Sequence, residues 1–200
     1  ILWRKRAIQT LEKNKPKLIL DIATGTGDFA IEALSLKPRK IIGVDISEGM
    51  LSVGRKKLIT KNLTDKIELL TGDSEALPFK DNLFDAVIVS FGVRNFENLE
   101  KGLSDMLRVL KPGGKIVILE FSKPKAFPFK QIYQFYFRWI LPEIGKLISE
   151  DHAAYTYLPD SVKAFPDGDN FLHILNKIGF RKSQCTPLTL GISSIYSGSK

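Results

Sequence analysis

The sequence predicts an α/β fold built around an open, mostly parallel sheet, and three observations support that fold class. Apolar segments of strand length alternate along the chain with helix-like segments. The apolar segments are rich in Ile, Val and Leu and show little alternation, which is typical of strands that are covered on both faces. A glycine-spaced turn follows the first of them. The candidate strands are 17–22, 40–46, 66–73, 84–91 and 114–121.

The candidate helices follow these strands in order. Helix-like patterns cover 27–36, 48–60 and 97–110, so repeated strand–helix–strand units predict an open sheet with right-handed crossovers. The segment LKPGG at 110–114 is predicted to end the third helix, because Pro112 cannot continue it and the glycines turn the chain. In such a sheet, ligands bind at the carboxyl ends of the strands.

The pattern changes after the fifth candidate strand. Residues 122–164 are dense in aromatic residues and prolines, and we predict a substrate-side insertion within a single domain that spans 1–200. A membrane-spanning helix is not expected there, because charged residues and a proline interrupt the apolar run. A helix near 168–178 follows, and the segments 180–188 and 192–199 resemble strands.

The composition restricts the possible classes of function. The chain has 200 residues, of which 44% are apolar, and this suits one globular domain with a sizeable core. Cys185 is the only cysteine, so an internal disulfide is excluded, and no Cys/His cluster indicates a metal site. The first residues have the pattern of the middle of a helix and include no initiator Met. We therefore expect the native protein to carry a further N-terminal segment, together with any targeting signal.

The net charge of +8 is concentrated in two segments. Residues 1–17 carry six basic side chains against one acidic side chain, and residues 123–146 carry five against one. Such segments suit an anionic membrane or a nucleic acid, whereas the simpler interpretation is two solvated basic faces. A nucleic-acid binder or an RNA methyltransferase is therefore one alternative, although no RNA-binding motif accompanies the charge.

The turn after the first strand carries the most specific local motif. Gly25, Gly27 and Ala30 fit the G-x-G-x-x-A fingerprint of dinucleotide-binding loops, so an NAD-dependent oxidoreductase is a second alternative. Asp28 stands where a phosphate would meet the helix N-terminus, and Asp21 is close in sequence. Two like charges ~4 Å apart repel by about 4 kcal/mol at an effective dielectric constant near ~20. These acids favour a ligand with positive groups and no phosphate, such as S-adenosylmethionine.

Further polar residues stand at the other predicted strand ends. Asp45 is placed to bind ribose hydroxyls, and Asp73 is placed to accept a hydrogen bond from an adenine amino group beside Ser74. Asp73 and Ser74 equally suit an ordinary turn with a helix cap. Ser90 and Glu120 end the fourth and fifth strands. We therefore expect one ligand site at this edge of the sheet.

Six motifs spread over nearly the whole chain fit a known family. They are DIATGTGD, GVDISEGML, GDSEALPF, VSFGVRNF, RVLKPGGKIVILEFSKP and the ending LTLGISSIYSG. Together they resemble the quinone-biosynthesis C-methyltransferases, which are class I enzymes that use S-adenosylmethionine. The most specific pair is SFGVRN followed by LEFSKP, because the glycine loop and LKPGG are shared with many class I methyltransferases.

The resemblance implies the Rossmann-like class I methyltransferase fold, an α/β fold with a seven-stranded, mostly parallel sheet, helices on both faces and a last antiparallel strand. It implies S-adenosyl-L-methionine as cofactor, S-adenosylhomocysteine as product and no metal. The cofactor-binding residues that we predict are Asp21, Ala23, Thr24, Gly25, Thr26, Gly27, Asp45, Ile46, Met50, Asp73, Ser74, Ser90 and Phe91.

The implied reaction is C-methylation of a prenylated quinol, from demethylmenaquinol to menaquinol. The ubiquinone-pathway reaction and methylation of another phenol or a sterol are the alternatives. A quinol that loses a phenol proton becomes a better carbon nucleophile, so the protein must position the ring and favour the phenolate. We assign Arg94 to stabilise that charge and Asn95 to donate to the same oxygen, and a water is a candidate proton acceptor. The competing interpretation is that Arg94 pairs with a structural acid and Asn95 caps the helix at 97–110.

The prenyl tail requires an apolar channel, and aromatic residues of the insertion are its candidates, although many of them also suit ordinary packing. They are Phe127, Phe129, Tyr133, Phe135, Tyr136, Phe137, Trp139, Tyr155 and Tyr157. His152 is a candidate base, but a lone histidine is more often structural. We expect a cytoplasmic enzyme with peripheral membrane contact and no nucleic-acid partner, and the family suggests a homodimer.

Overall fold

A seven-stranded sheet forms the centre of the molecule in the computed structural model, which describes residues 2–125, 127–135 and 159–200. The strands are β1 (Leu18–Ile22), β2 (Lys40–Asp45), β3 (Ile67–Thr71), β4 (Phe84–Ser90), β5 (Leu110–Phe121), β6 (Arg181–Leu188) and β7 (Ser193–Ser199). Their order across the sheet is β3-β2-β1-β4-β5-β7-β6. Strands β1 to β5 pair in parallel, and β7 runs antiparallel to both β5 and β6. The expected seven-stranded, mostly parallel sheet is confirmed.

Helices cover the sheet on both sides. They are α1 (Leu2–Gln9), α2 (Asp28–Ala33), α3 (Glu48–Thr60), α4 (Leu99–Val109), α5 (Phe129–Phe135) and α6 (Asp169–Ile178). The buried apolar side chains form two clusters, one containing residues of α1, α2 and α3 and the other containing residues of α4 and α6. The central strands therefore have an apolar layer on each face.

Strand β1 shows why the apolar runs lack alternation. Leu20 and Ile22 belong to the cluster that includes α4 and α6, whereas Ile19 belongs to the cluster that includes α1, α2 and α3. All three side chains are fully buried. Because both faces of the strand are covered, both sets of alternating positions are apolar.

Strand β5 begins four residues earlier than predicted. Helix α4 ends at Val109, as LKPGG led us to expect, but Leu110 already pairs with Phe84 of β4. The pairing register then shifts, because Ala86 pairs with Lys115. The residues around Pro112 therefore lie in an irregular part of the strand, between the two paired positions. Proline has no N–H to donate to the ladder, so it is tolerated at such a bulge.

Asp85 ties together the amino ends of β1 and β5. Its Oδ2 accepts hydrogen bonds from the backbone N–H groups of Lys17 at 2.9 Å and Leu18 at 2.8 Å. Its Oδ1 accepts from Lys111 Nζ at 2.6 Å. Partial burial opposes ionisation, but these donors together hold the pKa of Asp85 below its usual range.

Part of the predicted insertion lies outside the described residues. Tyr136, Phe137, Trp139, His152, Tyr155 and Tyr157 all fall there. Phe129, Tyr133 and Phe135 lie in α5, and Phe127 lies in the turn just before it. The insertion bounds of 122–164 stay a prediction. Within 2–125, 127–135 and 159–200, no helix has both the length and the apolarity needed to cross a membrane. In the same part of the chain, no group of His, Cys, Asp and Glu side chains is arranged to hold a metal ion.

Candidate functional site

A cavity of about 740 Å³ opens at the carboxyl ends of β1, β2 and β4. The strand order reverses between β1 and β4, which is the point where ligands bind in open α/β sheets. Most of the predicted cofactor residues line this cavity: Ala23, Thr24, Gly25, Thr26, Asp45, Ile46, Met50, Asp73, Ser74, Ser90 and Phe91. Asp21 and Gly27 are not among the lining residues. The structure thus brings together residues that are spread over about 70 positions of sequence, as is typical of this class of site.

The glycine loop between β1 and α2 has the backbone conformation that its sequence requires. Gly25 and Gly27 adopt φ angles of +56° and +78°, which glycine reaches without a side-chain clash. Ala23 also has a positive φ, at +51°, in a region that residues with a side chain rarely occupy. The loop therefore exposes backbone groups toward the cavity at the cost of local strain.

Asp21 does not line the cavity but holds the glycine loop through a buried hydrogen bond. Its side chain is fully buried, and its Oδ2 accepts a hydrogen bond from Thr24 Oγ1 at 2.5 Å. Burial raises the pKa of Asp21 to about 7, although the Thr24 hydrogen bond acts in the opposite direction. A carboxyl group with that pKa is partly protonated at neutral pH, so Asp21 is a weak source of negative charge.

The electrostatic role that we predicted for Asp28 is wrong. Its Oδ1 accepts from Lys57 Nζ of α3 at 2.6 Å, and its Oδ2 lies 3.5 Å from Arg4 Nη1 of α1. Burial opposes ionisation, but Lys57 and Arg4 hold the pKa of Asp28 below its usual range. Two cations therefore compensate this carboxylate, and its charge does not by itself exclude a phosphate.

Asp45 lines the cavity and is in a position to bind a ligand. Its Oδ2 accepts from the Gly25 backbone N–H at 2.7 Å, and its Oδ1 accepts from the Ser47 backbone N–H at 2.9 Å. A carboxylate accepts more than one hydrogen bond per oxygen, so both oxygens retain capacity for further donors. The position at the end of β2, on the cavity wall, is the one where an acid binds ribose hydroxyls.

One wall of the cavity combines exposed apolar side chains with a polar turn. Ile46 is 78% exposed and Met50 is 46% exposed, which is unusual for side chains of this size. In the turn, Asp73 Oδ1 accepts from the Glu75 backbone N–H at 2.8 Å, so the turn predicted at Asp73 and Ser74 is present. No helix follows this turn, so the helix-cap interpretation of these two residues is wrong.

Ser90 and Phe91 close the cavity at the end of β4. Ser90 Oγ is buried and, within the described parts of the chain, has no hydrogen-bond partner. Buried polar atoms are normally paired, so an unpaired hydroxyl on a cavity wall fits a polar ligand. Phe91 has a φ of +60° and packs against Phe121 with ring centroids 4.5 Å apart. Together with Asp45 and the apolar wall, these features fit S-adenosylmethionine.

The two predicted catalytic residues differ in their surroundings. Asn95 is exposed and lines the cavity, whereas Arg94 does not line it. Arg94 Nη1 donates to Glu120 Oε1 at 2.8 Å, which is the structural pairing that we considered as the alternative. The proposed cap role of Asn95 is wrong, because the side chain that caps α4 is Asn98, whose Oδ1 accepts from the Lys101 backbone N–H at 3.0 Å.

Sequence reasoning missed two charged residues that shape the site, Arg4 and Lys57, and it named a third, Glu120, without its partner. Arg4 lines the cavity, Lys57 contacts the glycine loop, and Glu120 holds Arg94. The only signal for Arg4 is its place in the basic WRKR run, and Lys57 appears as one of several lysines on α3. Their importance arises from the packing of α1 and α3 against the loop, which local sequence does not report.

Comparisons with known proteins agree with this geometry. The model of the ubiE/COQ5 methyltransferase family matches residues 1–200. A demethylmenaquinone methyltransferase of Bacteroides fragilis is 49% identical over 199 residues, which cover 99% of this chain and 81% of the relative. A ubiquinone/menaquinone biosynthesis C-methyltransferase UbiE of Geobacter sulfurreducens is 46% identical, with 99% and 78% covered.

Solved structures of lower identity share the fold. A putative S-adenosyl-L-methionine-dependent methyltransferase from Methanococcus maripaludis superposes with a TM-score of 0.69 at 19% identity, covering all of this chain and 85% of the other. The [4+2]-cyclase SpnF superposes with a TM-score of 0.74 at 16% identity, covering 98% and 80%. Since these include different activities, the fold alone does not define the reaction.

Proposed function

Because the chain belongs to the ubiE/COQ5 methyltransferase family, we propose that it methylates a ring carbon of a prenylated quinol and converts demethylmenaquinol to menaquinol. The enzyme is an S-adenosylmethionine-dependent methyltransferase. The observation that carries the proposal is the match of the family over 1–200 combined with one cavity lined by most of the predicted cofactor residues. The menaquinone assignment is supported by relatives named demethylmenaquinone methyltransferase at 42–49% identity.

The cofactor supplies a methyl group on a positively charged sulfur. In the proposal, Asp45 accepts hydrogen bonds from the ribose hydroxyls, and Ile46 and Met50 pack on the adenine ring. Asp73 uses its second oxygen for the adenine amino group, since Oδ1 is held by the turn. The strained glycine loop presents its backbone to the rest of the molecule. Each of these contacts uses a residue whose side chain or backbone lines the cavity.

Asn95 is the residue that we assign to the quinol oxygen. Its side chain lies on the cavity wall, where an amide N–H can donate to a phenolate and orient the ring. Arg94 contributes positive charge from behind this wall, but Glu120 compensates that charge at 2.8 Å. Arg94 therefore stabilises a phenolate less than an unpaired arginine would, and its main effect is on the position of the turn that carries Asn95.

The lipid character of the substrate leads us to propose peripheral membrane contact from the cytoplasmic side. Phe127 is 81% exposed and Phe129 is 37% exposed, and the exposed Lys125 and Lys130 flank them in sequence. Within the described residues, no salt bridge involves either lysine. Exposed aromatic side chains next to basic groups are typical of segments that lie at an anionic membrane surface. A homodimer stays a prediction from the family.

Two assays test the proposed function. Calorimetric titration with S-adenosylmethionine, S-adenosylhomocysteine and NAD should show binding of the first two and none of the third. Turnover should then be measured on demethylmenaquinol and on the corresponding ubiquinone-pathway quinol, with methyl transfer followed by mass spectrometry. Faster methylation of demethylmenaquinol supports the proposal. Preference for the benzoquinol supports the ubiquinone-pathway alternative, and binding of NAD alone would overturn the methyltransferase assignment of the cavity.

A further inference from the structure

Glu120 is a buried carboxylate at the end of β5, and two of its three side-chain hydrogen bonds come from Arg94 in a neighbouring turn. Its side chain is fully buried. Oε1 accepts from Arg94 Nη1 at 2.8 Å and from the Phe121 backbone N–H at 2.8 Å. Oε2 accepts from the Arg94 backbone N–H at 3.3 Å. Glu120 thus binds both the side chain and the main chain of Arg94.

These contacts hold a short helical turn, Val93–Asn95, against the sheet. Arg94 Nη1 also donates to the Phe91 carbonyl at 2.5 Å, and the guanidinium lies 5.4 Å from the centroid of the Phe121 ring. The turn is therefore fixed to the ends of both β4 and β5. Asn95, the next residue, lies on the wall of the cofactor cavity.

Stability alone gives a poor account of this arrangement. Burying a carboxylate and a guanidinium carries a desolvation penalty that their attraction often only balances, so apolar residues of similar volume would serve a core as well. The four preceding residues of β5 follow that rule, since Ile116, Val117, Ile118 and Leu119 are all fully buried and apolar. Burial also raises the pKa of Glu120, although Arg94 opposes the shift.

We propose that Glu120 is a positioning residue for methyl transfer: by holding Arg94 it fixes the Val93–Asn95 turn and so sets the direction of the Asn95 side chain toward the quinol oxygen. This inference rests on the proposed function. Glu120 has no need to touch the substrate, because it acts through Arg94 and the turn. Its ionised form is required, since a neutral side chain would leave the guanidinium unbalanced and the turn less firmly held.

The test compares Glu120→Gln with a matched control, Glu68→Gln. Glu68 is an exposed glutamate of β3 that pairs with Lys40 at 3.4 Å, away from the cavity. We expect Glu120→Gln to lower kcat for the quinol about 10- to 100-fold, as misplacement of a catalytic contact does. The Kd of S-adenosylhomocysteine should change less than twofold, and Glu68→Gln should leave both values unchanged.

A pH profile and a double-mutant cycle separate positioning from a purely structural role. In the parent enzyme, we expect kcat to fall as acid protonates Glu120. In Glu120→Gln this fall should be absent, because the amide does not titrate. Because Glu120 acts through Arg94, the double variant Glu120→Gln/Arg94→Met should be no slower than Arg94→Met alone. If Glu120→Gln does not fold, Glu120→Asp, which keeps the charge with a shorter reach, replaces it in the kcat and Kd comparison.

Several results would overturn the inference. The first is an unchanged kcat in Glu120→Gln. The second is a loss of S-adenosylhomocysteine binding in Glu120→Gln that is as large as its loss of kcat. The third is a double variant in which the kcat losses of the two single variants add. The parent enzyme's turnover separates this failure from failure of the proposed function. If the parent methylates neither quinol while binding S-adenosylhomocysteine, the proposed substrate is wrong and the role of Glu120 falls with it. If the parent is active and Glu120→Gln equals it, only the role of Glu120 is wrong.

Discussion

Lys57 on α3 bridges two residues of the cofactor loop: its Nζ donates to Asp28 Oδ1 at 2.6 Å and to Thr26 Oγ1 at 2.9 Å. Thr26 lines the cavity and Asp28 begins α2. Arg4 of α1 approaches the same carboxylate from the other side, at 3.5 Å. The loop that we assign to the cofactor is thus held between two helices by charged side chains.

We expect Lys57→Met to weaken cofactor binding more than it weakens the fold. The pair is partly exposed, and such pairs contribute about 0.2–1 kcal/mol, so the Kd of S-adenosylhomocysteine should rise by a factor between about 1.4 and 5. Calorimetry measures this. Lys56→Met, at the exposed neighbouring position, is the control and should leave the Kd unchanged. Equal Kd values for the two variants would show that the bridge has no influence on the loop.

Asp45→Asn should have a larger effect on the same equilibrium. The substitution removes the charge that accepts from Gly25 and Ser47 and that we assign to the ribose. Hydrogen bonds to charged groups contribute about 1.5–3 kcal/mol, so the Kd should rise roughly 10- to 100-fold. Asp65→Asn, on an exposed loop, provides the comparison. An unchanged Kd in Asp45→Asn would remove Asp45 from the cofactor site.

The stability of Asp21→Asn should depend on pH differently from that of the parent chain. The pKa of Asp21 is raised by burial to about 7, so between pH 4 and 7 the folded state holds a proton that the unfolded state has lost. Asp21 therefore destabilises the fold increasingly as pH rises through this window, by up to about 1.4 kcal/mol per pH unit. Asn keeps the acceptor for Thr24 and does not titrate.

Urea unfolding of both chains at pH 5, 6, 7 and 8 checks this expectation. The difference in unfolding free energy, Asp21→Asn minus parent, should increase from pH 5 to 7 and level off above it. A difference that does not vary with pH would mean that the pKa of Asp21 is not raised in the folded protein.

Gly92→Ala should destabilise the protein. A Cβ at this position would lie 2.4 Å from Ala23 Cβ, so the turn after β4 and the glycine loop would have to separate. Such overpacking costs about 1–3 kcal/mol. Gly49→Ala is the matched control, because a Cβ there meets only Ser47 Oγ at 3.9 Å and α3 gains helix propensity. Urea midpoints should fall for Gly92→Ala and hold or rise for Gly49→Ala, and the reverse order would contradict the close approach.

Phe127→Ser should reduce sedimentation with anionic phosphatidylglycerol vesicles and leave turnover on a short-tailed quinol unchanged. The reason is the loss of an 81% exposed aromatic ring that we place at the membrane surface. Ile59→Ser removes a similarly exposed apolar side chain from α3, outside that surface, and should sediment like the parent. Sedimentation of Phe127→Ser equal to that of Ile59→Ser would exclude Phe127 as a membrane contact.

Sequence reasoning was most accurate where local chemistry dictates position. The strands, the glycine loop and the acids at strand ends follow from apolar runs and turn residues, and Asp45 lies on the cavity wall at the end of its strand, as predicted. It failed where partners come from distant elements. Asp28 does not repel a phosphate as predicted, because two cations from α1 and α3 compensate its charge.

The Arg94–Glu120 pair shows the same limit for the catalytic side. The two residues are 26 positions apart and meet only because β4 and β5 are neighbours. The sequence places Glu120 at a strand end and Arg94 in the FGVRN motif, but it does not reveal that the carboxylate of Glu120 compensates the charge of Arg94. Choosing between a phenolate contact and a structural pairing required the distance of 2.8 Å.

The anchor at Asp85 lies at the amino ends of the strands, and the cofactor cavity lies at their carboxyl ends. Mutations near Asp85 can therefore alter heat tolerance while the chemistry at the far end stays the same. Lineages that share this sheet are free to adapt to different temperatures through one rim and to different substrates through the other. The β-strands separate the Asp85 anchor from the cavity by their own length, and this distance allows the two kinds of adaptation to proceed independently.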